Sequence, residues 1–170
     1  MPLTTYTSGE VLTAASLNAN FSFASTNGGV VQVKNAGKAT AFSTASGSFV
    51  DVTDLTISIT PTVNTNKVLV IVTVQLSNSG GDGLVRLMRD ATAIGVSTVG
   101  SVLNGIGLAY ASTYAMDTIA VAFLDSPATT SATTYKVQAV ANGGTSYINR
   151  RPADTAFGGF SSITVMEVLP

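Results

Sequence analysis

Few residues of this chain could do chemistry, because its 170 residues include no His and no Cys. Without them the common catalytic triads, thiol nucleophiles and imidazole-ligated metal sites cannot be built. The remaining option is a glycosidase-type carboxylate pair, which must face across a groove at about 5–9 Å. The carboxylates are Glu10, Asp51, Asp54, Asp82, Asp90, Asp117, Asp125, Asp154 and Glu167. Asp51 and Asp54 flank a predicted strand end and no groove is indicated, so we expect a protein that is not an enzyme.

Two glycine-containing stretches match ligand sites only in part. Asp82 and Gly83 lie among Ser and Asn oxygens that suit Ca²⁺, but a calcium site needs several carboxylates and this stretch has one. Residues 100–105 carry two glycines at phosphate-loop spacing, yet Ile106 and Gly107 stand where Lys and Ser or Thr are required. We therefore expect neither a metal nor a cofactor.

Charge is scarce in this sequence. Charged residues make up 10% of the chain against 45% hydrophobic residues, and the mean hydropathy is +0.40. Obligate interfaces are depleted in charge, so this composition favours an obligate homo-oligomer. The net charge is −1 and the eight basic residues are scattered, which argues against nucleic acid as a partner.

Neither a secretion signal nor a membrane span is predicted. The N-terminus lacks both a basic segment and an apolar segment of the signal-peptide kind. Residues 91–116 carry no charge, but their glycine, Ser, Thr and Asn content is too polar for a spanning helix. We interpret this stretch as strand, turn and strand, and expect no membrane insertion.

From Val30 onward, short β-type segments alternate with Gly, Asn, Ser and Thr turns. From residue 55 to residue 60, apolar residues alternate with Thr and Ser, and Pro61 ends this predicted strand. Residues 67–76 begin apolar on both faces, which indicates a core on one side and a neighbouring layer or subunit on the other. The predicted strands are 30–33, 39–43, 49–52, 55–60, 67–76, 84–89, 93–97, 113–124, 135–141 and 163–168, with a hairpin-like turn at 142–144 leading into 147–148. About ten strands without intervening helices predict an all-β, antiparallel sandwich.

The first twenty-eight residues show a different pattern, which predicts a short helix within them. Thr13 can cap it through its hydroxyl, and Leu17 and Phe21 stand four residues apart and so share a face. A helix of about two turns is marginal alone and needs a surface to lie on. With residues 25–29 as a linker or turn, the sequence predicts an N-terminal attachment arm over 1–28 and a β-sandwich domain over 29–170.

The arm contains the pattern G-x-x-L-T-A-x-x-L-N-x-x-F, carried by Gly9, Leu12, Thr13, Ala14, Leu17, Asn18 and Phe21. It resembles the leader of many bacteriophage tail and virion-surface proteins. The resemblance implies a structural protein on the particle exterior, made in the host cytoplasm, whose arm binds other virion proteins while the β-domain faces outward. The chain has no coiled-coil heptads and no triple β-spiral repeat, which favours a small fibre tip, a capsid decoration protein or a head-spike subunit over a long fibre. The alternative is a receptor-binding module that recognises a host surface glycan or protein.

The order of the predicted strands is similar to jelly rolls of the tumour necrosis factor and complement globular-head kind. Those domains assemble as trimers, so this resemblance implies a jelly-roll-like sandwich and a homotrimer.

Several side chains are candidate contacts to a subunit or partner. Arg86 and Arg89 fall on opposite faces of one strand, and Glu167 shares a face with Ile163 and Val165. Each is either a rim salt bridge or snorkelling side chain, which we favour, or an ion pair, within or between subunits, that fixes register near a trimer axis. A second group is Tyr110, Tyr114, Tyr147, Phe157 and Phe160, together with Asn149, Arg150 and Arg151. Tyr and Arg anchor interfaces, but we expect more than half of these aromatic side chains to belong to the core.

Overall fold

The computed structural model describes residues 5–11, 13–26, 29–100 and 103–170, and shows one helix followed by two antiparallel β-sheets. This confirms the predicted all-β sandwich. Within the described residues the elements are α1 (Ala14–Thr26), β1 (Val30–Lys38), β2 (Phe42–Thr44), β3 (Val50–Ile59), β4 (Lys67–Asn78), β5 (Asp82–Arg89), β6 (Thr92–Ile94), β7 (Gly107–Tyr110), β8 (Asp117–Asp125), β9 (Thr133–Asn142), β10 (Ser146–Ile148) and β11 (Ser161–Val168).

The strand pairing is that of a jelly roll. Sheet A contains β1, β2, β4, β8, β10 and β11, and sheet B contains β3, β5, β6, β7 and β9. The pairs are nested: β1 joins β11, β3 joins β9, β4 joins β8, and β5 joins β6 and β7. Such nesting results when one long antiparallel hairpin is rolled into two facing sheets.

The core lies between the two sheets and follows the alternation of each strand. On β4, Val68, Val70, Val72 and Val74 are fully buried, while the residues between them face outward. Tyr135 of β9 is the largest fully buried side chain and reaches in from sheet B. Because side chains alternate across a strand, each sheet keeps one face for the core and leaves a second face for solvent or a partner.

The sandwich has two distinct ends. At the entry end, where the arm joins the domain, Leu169 N donates to Gly29 O at 3.1 Å and β4 begins. At the far end, β4 reaches Asn78 and turns into β5 at Asp82. The length of β4 separates the two ends by roughly 35 Å.

The arm helix is longer than predicted. α1 runs for 13 residues and includes Ser25 and Thr26, which the sequence pattern had assigned to a linker. Ser and Thr lower helix propensity only slightly, so they do not end a helix as glycine does. Within the described residues no helix is long and apolar enough to cross a membrane.

Three strand predictions were wrong in detail. The two segments 49–52 and 55–60 form one strand, β3, in which Asp54 adopts a positive φ of 68° at a bulge. Lys38, almost fully buried, donates from Nζ to Asp54 Oδ2 at 3.2 Å and fixes that bulge. Strand β7 was not assigned separately. The gap at 77–83 between two predicted strands shortens to a loop of three residues, because β4 and β5 both extend into it.

The glycine turn at 142–144 is not a hairpin. Gly143 and Gly144 have φ values of 90° and 65°, which glycine adopts without strain. The turn carries the chain from β9 in sheet B to β10 in sheet A, where β10 pairs with β2 and β4 instead of β9. The signal for a tight turn was correct, but sequence alone did not show which sheet the next strand would join.

Candidate functional site

The outer face of sheet A carries no charged side chain over three consecutive rows of four strands. The register places these rows across β1, β11, β4 and β8, and their inward neighbours form the core. We call this set the uncharged face: Val33, Met166, Leu69 and Leu124; Asn35, Thr164, Ile71 and Ala122; and Gly37, Ser162, Thr73 and Ala120. The predicted second apolar side of residues 67–76 is therefore real, and it lies open in the single chain.

Phe160 extends this face toward the far end. Its ring lies directly against Gly37, where any side chain would collide with it. Gly37 thus leaves room for the tip of the Phe160 ring, while most of Phe160 stays exposed. The uncharged face therefore continues from the sheet onto the loop that precedes β11.

That loop, residues 149–160, is held in place by Asn149. Its Nδ2 donates to Lys38 O at 2.7 Å and to Thr40 O at 3.2 Å, and its Oδ1 accepts from Ser161 Oγ at 2.6 Å. Its backbone N donates to Gln75 O at 2.9 Å. Asn149 has a positive φ of 63°, a conformation that Asn tolerates better than most residues. One buried side chain therefore ties the loop to the edge strand and to β11.

Replacing Asn149 with alanine should lower the free energy of unfolding by about 2 kcal/mol, because it removes buried hydrogen bonds and leaves a β-carbon at a strained φ. Urea unfolding followed by circular dichroism measures this. Asn149→Gly relieves the strain but restores no hydrogen bond, so it should recover only part of the loss. Full recovery by glycine would contradict the proposed role of the side chain.

An arginine–aromatic cluster covers the outer side of this loop. Arg150 stacks over Tyr147 at 4.5 Å, and Arg151 stacks over Phe157 at 4.3 Å and over Tyr114 at 5.2 Å. Ala153 N donates to Thr113 O at 3.1 Å, which joins the loop to the one that carries Tyr114. The structure therefore brings the predicted contact residues Tyr147, Arg150 and Arg151 together.

Arg151 also forms an ion pair within the loop. Its Nε and Nη2 donate to the two oxygens of Asp154 at 2.8 and 2.7 Å. The hydrogen bond from Arg151 lowers the pKa of Asp154 below its usual range. The ion pair thus helps to hold the guanidinium of Arg151 close to the rings of both Phe157 and Tyr114.

The prediction that more than half of the five aromatic side chains belong to the core is wrong. Tyr110, Tyr114, Phe157 and Phe160 are exposed by 72%, 69%, 61% and 57%, and Tyr147 is half-buried. They lie on loops or outer faces, where no second layer of the described part of the chain covers them. Exposed aromatic side chains with stacked arginines are typical of protein contact surfaces.

The other two arginines lie apart from this cluster. Arg86, on the outer face of sheet B, stacks over Phe49 at 4.1 Å. Arg89, at the entry end, donates to both oxygens of Asp125 at 2.8 and 3.0 Å, and the buried Tyr135 hydroxyl donates to the same carboxylate at 2.6 Å. Burial and the hydrogen bond to Asp125 raise the pKa of Tyr135, so it remains a donor. Arg89 therefore forms a salt bridge within the chain, to a carboxylate that is almost fully buried.

Neither sequence interpretation of Glu167 is correct. Its side chain is fully buried inside the chain and is held by neutral donors: Gln32 Nε2 at 2.6 Å, Asn66 Nδ2 at 2.6 Å, and Thr62 N and Oγ1, both at 2.7 Å. Burial alone raises the pKa of Glu167, but these hydrogen bonds outweigh it and hold the pKa at about 2. The ionised carboxylate closes the entry end and is inaccessible to another subunit.

The arm residues are exposed where they are described. Gly9 has a φ of 91° in a turn, and Thr13 Oγ1 accepts from Ser16 N at 3.2 Å, which is the predicted N-cap. Asn18 is exposed, and Leu17 and Phe21 are exposed by 40% and 64%. Leu12 lies outside the described residues. The shared face of Leu17 and Phe21 is thus left largely open.

A groove at the far end of sheet B was not predicted. The register places Tyr110 of β7 and Asn142 of β9 on either side of Asp82 of β5. Leu84 and Leu108 pair in the next row and form the floor of a cavity of about 300 Å³. The groove lies at the opposite end of the sandwich from the entry end.

Most carboxylates are engaged inside the chain. Asp51, Asp54, Asp125 and Asp154 form ion pairs with Lys136, Lys38, Arg89 and Arg151. Within the ranges that the structure describes, no three His, Cys, Asp or Glu residues come close enough to hold a metal. Asp82 is the first residue of strand β5.

Comparison with known proteins assigns no family: no family model matches this chain, and no curated protein is significantly similar to it. The described residues form four candidate functional surfaces. They are the exposed helix of the arm, the uncharged face, the arginine–aromatic cluster and the far-end groove.

Proposed function

We propose that this protein is a non-enzymatic structural component of a bacteriophage particle's exterior, assembled as a homotrimer and anchored by its N-terminal arm. The observation that carries the proposal is the exposure of Leu17 and Phe21 on α1, in an arm that precedes a charge-poor β-domain. The resemblance of the arm to virion-protein leaders supplies the phage context. The particle exterior is then the location, with other virion proteins as partners of the arm.

The arm needs a partner for energetic reasons. A 13-residue helix is marginal alone in water, and burying Leu17 and Phe21 would add the stability it lacks. The two side chains present only a narrow apolar strip, which suits a groove on a neighbouring protein. We therefore propose that α1 binds in a groove of a neighbouring virion protein.

The uncharged face supports self-association. Its three rows across four strands cover roughly 400 Å², about half of the ~800 Å² that each partner gives to a standard interface. Exposed Val30, Val31 and Phe160 extend it at its margins. An interface without charge and with an exposed Ile71 at its centre is what obligate homo-oligomers present, so further copies of this chain are its occupants.

Deleting residues 1–28 should abolish incorporation into particles while leaving a soluble oligomer. Replacing both Leu17 and Phe21 with serine should lower incorporation at least tenfold, because it removes the apolar strip and keeps the arm's length. Quantitative immunoblotting of purified particles measures the incorporated fraction.

The matched control is Val63→Ser, which changes a similarly exposed apolar residue on the β-domain and should leave incorporation unchanged. If the Leu17/Phe21 variant were incorporated as well as this control, the arm would not be the anchor.

A second candidate function is recognition of a host surface glycan or protein. It is favoured by the exposed aromatic side chains and by the position of the far-end groove, roughly 35 Å from the entry end where the arm joins the domain. With the arm attached to the particle, that end would be free to meet a receptor.

A further inference from the structure

The far-end groove contains an uncompensated carboxylate. Four other Asp residues are in ion pairs, whereas no basic side chain among the described residues pairs with Asp82. Its Oδ2 accepts one long hydrogen bond, from Asn142 Nδ2 at 3.4 Å. No described residue donates to its Oδ1, which is left to accept from a ligand.

The neighbours of Asp82 define the chemistry of a ligand. Tyr110 is among the most exposed aromatic side chains of the described chain and offers a ring face and a hydroxyl. Asn142 both donates and accepts through its carboxamide. Leu84 and Leu108 supply an apolar floor between these polar groups. Small-molecule sites combine these parts: a mostly apolar cleft with a few convergent polar groups.

We propose that this groove binds a neutral pyranose ring at the end of a glycan. The apolar C–H face of the sugar lies on Tyr110 and the leucine floor, and its hydroxyls donate to Asp82 and exchange hydrogen bonds with Asn142. The cavity of about 300 Å³ lies at the lower end of the range for small-molecule sites and limits the ligand to one or two rings. A metal ion is a poor fit, because the groove offers one carboxylate.

The proposed sugar site gives the second candidate function a location and a ligand class. Sugar binding there does not depend on whether the arm anchors the protein. The test uses the full chain and four probes: the methyl pyranosides of glucose, galactose and mannose, and N-acetylglucosamine. Saturation-transfer NMR detects binding at millimolar affinity. We expect transfer to at least one probe, and a loss of at least about tenfold in affinity for both Tyr110→Ala and Asp82→Asn.

The control is Val63→Ala, which shortens an exposed side chain in the turn between β3 and β4, at the entry end and away from the groove, and should leave the affinity unchanged. Absence of transfer to all four probes would overturn the proposal. The proposal would also be overturned if the Tyr110 and Asp82 variants bound the sugar as tightly as the unmodified protein, or if Val63→Ala lost as much affinity as they do. Incorporation of the Asp82→Asn protein into particles should match the unmodified protein, which separates this site from the anchoring function.

Discussion

Replacing Glu167 with leucine should lower the free energy of unfolding by about 3 kcal/mol. Leucine fits the buried volume but leaves the donors of Gln32, Thr62 and Asn66 facing an apolar group. Each buried donor left without a partner costs about 1–3 kcal/mol, and Asn66 is the most deeply buried of the three. Thr62 can turn to solvent, which limits the total. Urea unfolding at a fixed protein concentration measures the loss, since dissociation of an oligomer also shifts the midpoint.

The same carboxylate should make the fold acid-sensitive. Its pKa is about 2 in the folded chain against 4.5 ordinarily. The folded pKa is depressed, so the stabilisation is fully present above about pH 4.5 and is lost as the pH falls through about 2. Unfolding free energies measured between pH 6 and pH 2 should therefore decline across this window.

Glu167→Gln removes the negative charge of the side chain and nearly keeps its shape. The amide oxygen can still accept from Thr62 and Asn66, but the amide nitrogen meets the Gln32 donor, which also serves Thr60 O at 2.8 Å and cannot turn without losing it. This variant should be less stable at pH 6 and show a flatter pH profile than the unmodified protein. An unchanged decline from pH 4.5 to pH 2 would mean that another group causes the acid sensitivity.

Replacing Ile71 with glutamate should dissociate the oligomer into monomers. Ile71 lies at the centre of the uncharged face, and burying an unpaired carboxylate there costs several kcal/mol. A cost of about 3 kcal/mol corresponds to an association constant more than a hundredfold weaker. Light scattering coupled to size-exclusion chromatography gives the mass directly, and we expect a trimer for the unmodified chain and 17.2 kDa for the variant.

The matched control is Thr56→Glu on the outer face of sheet B. Thr56 is exposed and lies opposite Lys136, so a carboxylate is tolerated there in a single chain. This control should keep the mass of the unmodified protein. If Ile71→Glu kept that mass as well, the uncharged face would not be the interface; circular dichroism verifies that both variants are folded.

Sequence patterns predicted features that depend on neighbours along the chain. The apolar alternation of 67–76 indicated both the core and the open side of sheet A, and Thr13 was recognised as the N-cap of α1. These succeed because strand faces and helix caps depend on spacings of two to four residues.

Features that join distant strands were missed for the opposite reason. Asn142 and Asp82 are separated by 60 positions, and only the register of β5 with β9 brings them together. The inward face of Glu167 was predicted from alternation, but its donors at Gln32 and Asn66 come from a different strand and a turn. The Arg151–Tyr114 stack likewise joins two loops that lie far apart in the sequence.

The central position of β11 has a consequence for biosynthesis. It lies between β1 and β4, so sheet A cannot close until β11, the last of the described strands to leave the ribosome, has been made. Until then the edges of β1 and β4 are unpaired and open to pairing with other chains. Three of the four columns of the uncharged face exist earlier, but they are joined into one surface only by β11. Subunits should therefore recognise one another only after synthesis of the domain has reached its final strand.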